Sequence, residues 1–216
     1  MPSYHEPNPL ELASLMISKT CHDIISPVGA AASAMEMWET SKDEATTQVA
    51  QTLMGRSSAQ AVAKLTFVRI AYGAFGDVGG DVDLGEAKTA AEQYIVDDKT
   101  ALDWQLDRAI VPKPVAKLAL GLLALAKDSI PRGGSMSIKG ADLTTAARFT
   151  VRAEAAKVII PQGAEDALSL RFSDGVHARN VHLYHLIKMA EAANVGIVPE
   201  LGDGSIVFET RPTAQG

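Results

Sequence analysis

The sequence predicts an α+β chain: a long helical hairpin followed by a two-layer α/β sandwich. Three observations predict it. Apolar residues at helical spacing run through residues 10–72 with one short polar turn between them. The stretch from Gly73 to Gly85 then breaks the pattern with five glycines and three aspartates, the composition of a linker. Beyond it, strand-like runs alternate with helical ones and end in two runs joined by Gly202-Asp203-Gly204, a hairpin signal.

After a start through Pro9 that reads as disordered, helix one is predicted from Leu10 to Thr40. Leu10, Ile17, Cys21, Ile24, Val28, Ala31 and Met35 recur at three, four or seven residues and form one apolar stripe. Ser41-Lys42-Asp43 makes the turn, and helix two follows from Glu44 to Tyr72. Its apolar positions are Val49, Leu53, Val62, Leu65 and Phe67, with Gly55 interrupting the middle. Two helices cannot cover so long a stripe alone. A second copy of the hairpin would complete a four-helix bundle, so the chain is expected to be a homodimer. Met16, Met35, Met37 and Trp38 are expected to fill the core or this interface, and Cys21 to pack on the stripe as a small hydrophobe.

The glycine-rich stretch sets the boundary between a first domain, residues 1–76, and a second, residues 86–216. In the second, the pattern predicts a helix at Glu86 to Ile95, a strand near Leu102 to Leu106, and a long apolar helix from Pro112 to Ser129. A Pro131-Arg132-Gly133-Gly134 turn follows. Strands are predicted near Ser135 to Lys139 and Arg148 to Arg152, a helix near Val181 to Ala193, and the closing hairpin at Gly196 to Leu201 and Ser205 to Glu209. This order suggests helices over one face of a mixed sheet.

A net charge of −6 excludes the basic surface that nucleic acid or an anionic membrane calls for. The single cysteine cannot form an intramolecular disulfide or a multi-cysteine zinc site, which fits a reducing compartment. With no leader-like N-terminus and no apolar run near the roughly 18 residues of a membrane span, the expected location is the cytoplasm.

The most informative segment is Cys21-His22-Asp23-Ile24-Ile25-Ser26-Pro27. His22 lies off the apolar stripe, among Ser18, Lys19, Ser26, Gly29 and Ser33. These side chains are mostly small or polar, and another protein's backbone could approach closely over them. Pro27 removes a helical hydrogen bond one turn further on, at a cost of about 3 kcal/mol, and is expected to kink or end the helix. Taken alone, an exposed histidine beside an aspartate is an ordinary surface pair. The acid, the proline and the small-residue face together suit a docking face bearing one nucleophile. The imidazole would attack in its neutral form, and Asp23 could fix its tautomer.

This layout resembles the core of sensor histidine kinases. In those proteins two asparagines on a helix before a Pro-x-Gly-Gly turn hold the magnesium and phosphates of ATP. The segment LALGLLALAKDSIPRGG, Leu118 to Gly134, is similar, but Gly121 and Leu125 occupy the asparagine positions. Neither offers the oxygen ligands that magnesium needs. The stretch Ala155-Ala156-Lys157-Val158-Ile159-Ile160-Pro161 falls where the acidic adenine-binding box belongs, and it lacks that box's aspartate and both glycines.

A histidine box without an ATP site resembles the ChpT family of alphaproteobacterial histidine phosphotransferases. The strings that carry the resemblance are CHDIISPVGA from Cys21, LTFVRIAYGA from Leu65, LDW at Leu102, IPRGG from Ile130 and HARNVHLYHLIKMAEAANVGI from His177. It implies a dimer with a degenerate ATPase-like α/β sandwich. Phosphate would pass between the receiver domain of a hybrid histidine kinase (CckA in the best-known systems) and CtrA-like and CpdR-like response regulators. The resemblance also implies His22 as the phosphoryl carrier, Asp23 as its acidic neighbour, and receiver contacts at Lys19, Ser26 and Gly29. No cofactor is expected on this chain, with magnesium on the partner receiver. Two other readings stay open on the residues alone: a non-transferring pseudokinase module with a vestigial His22, and, against the loss of both asparagines, an active kinase. His177, His182 and His185 are expected to pack rather than bind metal, there being no acid or cysteine at ligand spacing. Trp104 is expected to be packed.

Overall fold

The computed structural model describes residues 4–73, 80–144 and 147–213. Helix α1 (Pro9–Thr40) starts on a capping box. Asn8 Oδ1 accepts from the Leu10 and Glu11 amides at 2.9 and 3.0 Å, and Glu11 Oε2 accepts from the Asn8 amide at 2.9 Å. The helix does not end at Pro27, which is buried inside it. Asp43 caps α2 (Glu44–Ala71) by accepting from the Thr46 amide at 2.8 Å.

The rest of the chain is β1 (Asp81–Asp83), α3 (Leu84–Ile95), β2 (Thr100–Gln105), β3 (Ile110–Pro112), α4 (Lys113–Ser129), β4 (Gly134–Ala141), β5 (Arg148–Glu154), α5 (Ala164–Leu168), α6 (Val181–Ala192), β6 (Val195–Gly202) and β7 (Ser205–Pro212). The main sheet has the order β2-β4-β5-β7-β6, with β2 parallel to β4 and every other pair antiparallel. Helix α4 runs through the centre of the core. Leu118, Leu120, Leu122, Leu123 and Leu125 are all fully buried, as an apolar run with no polar face must be. The turn after it needs Gly133, whose φ is +86° and where a Cβ would stand 2.4 Å from the Lys99 carbonyl oxygen.

Hairpin and sandwich share one core. Phe67 of α2 stacks on Tyr94 of α3 at 4.1 Å, and Lys127 of α4 donates to the Tyr94 and Ile95 carbonyls at the end of α3 at 2.7 and 3.0 Å.

Several expectations need correction. The start of the chain is packed from Tyr4 onward, because aromatic and charged groups on the sandwich hold it. The glycine-rich stretch contains β1, paired with β3 in a two-stranded ribbon, and both strands are too short for periodicity to reveal. Part of that stretch, 74–79, lies outside the described residues. Met35, Met37 and Trp38, expected in the core or in an interface between hairpins, are not in the core of the single chain, and Cys21 is exposed there too. The face of α1 turned inward is instead the one bearing Leu12, Met16, Pro27 and Ala34.

Candidate functional site

His22 lies midway along α1 with 85% of its side chain exposed, and its Nδ1 lies 3.3 Å from Asp23 Oδ1. Nε2 makes no hydrogen bond with any described residue. Asp23 is held from two sides. Lys19, one turn earlier on the same helix, pairs with its other carboxylate oxygen, and Lys64 of α2 donates to its backbone carbonyl at 3.0 Å. The aspartate is thus anchored before it meets the histidine, and the histidine presents one nitrogen outward.

Ser26 and Gly29 are exposed on the same side of α1, and a Cβ at Gly29 would have nothing within 4 Å. The structure therefore brings Lys19, His22, Asp23, Ser26 and Gly29 together on one segment of helix. It adds Ile25, 70% exposed. Ile25 stands three residues from His22 on the same face, a spacing that was readable although it falls outside the apolar stripe. Lys64, by contrast, is 41 residues from Asp23 in sequence and carried no signal.

Toward the sandwich, Lys19 forms one wall of a cleft of about 680 Å³ shared with Asp128 at the end of α4, Phe172 and His177 of the loop between α5 and α6, and His182 of α6. Burial holds His182 down at about 4, with Lys19 adding to the effect and Asp23 opposing it. Desolvation in the cleft pushes Asp128 up to about 6, with Asp23 adding to the effect and Lys19 and Lys127 opposing it. His185, packed edge-on against Tyr72 at 5.2 Å, is likewise held near 4 by burial and by Lys117. Among the described residues no three His, Cys, Asp or Glu side chains are grouped to hold a metal.

The two depressed histidines make stability depend on pH. Their folded values lie below the unfolded 6.5. The unfolded chain therefore takes up protons first as pH falls through 6.5, and stability declines toward pH 4, by on the order of 2 kcal/mol per histidine at pH 5. Asp128, raised in the fold, works in the opposite direction below pH 6. Denaturant titrations at pH 7 and pH 5 should show this loss, and a His182→Gln, His185→Gln double variant should show a smaller difference between the two pH values.

The two positions where a nucleotide-binding helix would need oxygen ligands serve packing. Leu125 is in the core. Gly121 lies where α6 crosses α4 so closely that a Cβ would come within 2.8 Å of Leu186 Cδ1. The stretch from Ala155 to Pro161 is tied back to α4, the Ile159 amide donating to the Ser129 carbonyl at 2.9 Å.

Known proteins are similar to this chain in sequence and in fold. A profile described as the histidine phosphotransferase C-terminal domain matches residues 84–205. The chain is 32% identical over 200 residues to the protein phosphotransferase ChpT of Brucella abortus (strain 2308), covering 92% of this chain and 94% of that protein. A solved structure of a bacterial phosphotransferase matches with a TM-score of 0.86 at 30% identity, over 96% of this chain and 98% of the other. Among the described residues, no helix is long and apolar enough to cross a membrane.

Proposed function

The chain belongs to the histidine phosphotransferase family and is a phosphotransferase, and from that premise we propose that it relays a phosphoryl group between receiver-domain aspartates through His22. The observation that carries this reading is an exposed imidazole whose Nδ1 faces an anchored Asp23 while Nε2 points free. In the forward step the Nε2 lone pair attacks the phosphorus of a receiver's aspartyl phosphate. The new N–P bond forms as the P–O bond to the aspartate breaks, and the aspartate leaves as a carboxylate. The Nδ1 proton stays on the ring, where Asp23 offsets the positive charge. The reverse of this step on a second receiver returns the imidazole to neutral. Such transfers depend chiefly on positioning and charge neutralisation, and the partner receiver would supply the acceptor aspartate and magnesium.

Close approach is part of the proposal. Replacing Gly29 with Leu should leave the fold intact, because nothing within 4 Å meets the added Cβ. It should also slow transfer from a phosphorylated receiver by about tenfold or more by holding the partner off. A radiolabel transfer assay beside a melting curve checks both halves.

The same reading holds that the chain binds no ATP. It is supported by the burial of Leu125 and by the tight α4–α6 crossing at Gly121. Calorimetry with magnesium and ATP is expected to give no heat of binding, and micromolar affinity would revive the kinase alternative. The reading further includes a homodimer through the hairpin, supported by the exposed apolar stripe on α1. The transfer assay tests the core of the proposal: label should move from a phosphorylated receiver to this chain and onward to a second receiver. A protein that bound receivers without taking label would be the non-transferring module.

A further inference from the structure

The residues before α1 form a strap laid across the sandwich. The Tyr4 ring packs at 4.9 Å from Phe172 and edge-on at 6.5 Å from Tyr184, and those two rings stand 5.7 Å apart. Two residues on, Glu6 Oε1 accepts from the Tyr184 hydroxyl at 2.9 Å and pairs with Lys188 Nζ at 2.6 Å. Lys188 also lies over the Tyr184 ring at 5.4 Å. These contacts hold Glu6 below the usual carboxylate range, Lys188 first and Tyr184 second. Asn8 then opens α1 with its capping box.

The strap joins the start of the His22 helix to two of the elements that face that helix from the sandwich. Tyr184 and Lys188 belong to α6, which also carries His182 beside the Lys19–Asp23 pair. Phe172 belongs to the loop that walls the cleft shared with Lys19. Helix α1 is therefore fastened at two points, by Tyr4 and Glu6 on the sandwich and by Leu12, which packs against the shared core. The first lies roughly 20 Å of helix before His22 at 1.5 Å per residue.

We infer that Tyr4 and Glu6 are positioning residues for transfer at His22: by clasping α6 and the cleft loop they fix the angle between the histidine helix and the sandwich, so that a docking receiver meets one rigid composite surface. The inference rests on the phosphorelay reading of His22. Loosening the clasp leaves the imidazole and Asp23 untouched and spreads the surface over many orientations. The effect therefore falls on receiver binding and leaves the chemical step unchanged.

The test compares wild type, Tyr4→Ala, Tyr4→Phe and Glu6→Ala in the full chain. The phosphate donor is a hybrid-kinase receiver domain from the same genome, phosphorylated with acetyl phosphate. Transfer kinetics are read alongside amide hydrogen exchange. Tyr4→Ala and Glu6→Ala should raise KM for the phosphorylated receiver about fivefold with kcat within about twofold, and should speed exchange at the start of α1 and along α6. Tyr4→Phe keeps the ring and should behave as wild type. A Tyr4→Ala protein with wild-type KM and accelerated exchange overturns the positioning role, as does a fall in kcat at constant KM. Unchanged exchange in Tyr4→Ala overturns the clasp itself, independently of transfer. If the wild-type chain took no label from any such receiver, the His22 reading would fail, a result separable from the exchange data.

Discussion

His22→Ala should reduce phosphoryl transfer to background, a loss of at least about a thousandfold, because it removes the nitrogen that forms the N–P bond. Stability should stay within about 0.5 kcal/mol of wild type. The side chain is 85% exposed and its one hydrogen-bonding contact is with a neighbouring carboxylate, so its removal leaves no cavity and no buried partner unpaired. Far-ultraviolet dichroism and a denaturant titration check the fold, and a radiolabel assay checks the transfer. Asp23→Asn should give a smaller loss, since the amide can still orient the ring but cannot offset the charge on phosphohistidine. A His22→Ala protein that exchanged label at the wild-type rate would refute the assignment.

With the chain dimerising through the hairpin as proposed, Val28→Asp should leave it monomeric at micromolar concentration. Leu10, Ile17 and Val28 lie on one stripe of α1 with 77%, 65% and 50% of their surface exposed in the single chain, too much contiguous apolar area for water to cover without cost. An unpaired carboxylate in the middle of that seam would lose about 3 kcal/mol or more on association, which is a rise in Kd of at least roughly a hundredfold. Ile24→Asp should act in the same direction. Its side chain is half-buried within the chain, so Val28 is the cleaner probe. Light scattering decides it, and a monomeric wild type at the same concentration would remove the premise.

The hairpin was legible almost to the residue. Its helices carry long apolar periodicity, and the turn between them is marked by Ser41-Lys42-Asp43, whose turn and capping chemistry is local. The order of strands and helices in the sandwich was legible for the same reason. The three-residue strands β1 and β3 and the five-residue α5 were not, since each is shorter than the run of residues over which a repeating pattern can be read. Pro27 shows the limit of a local rule: the missing hydrogen bond is a property of the residue, but whether the helix stops is decided by how well the flanking turns are packed.

The histidine, its acid neighbour and the small-residue face around them were readable from the chain, because neighbouring residues on one helix are placed by the helical period alone. Their surroundings come from packing between distant segments. Lys64 reaches Asp23 from the second helix, and Asp128 and His182 approach Lys19 from the sandwich. The first residues of the chain, which read as loose and polar, are held by Phe172, Tyr184 and Lys188. Those partners come together from distant parts of the chain, and no period in the sequence records a contact made by the closing of a core.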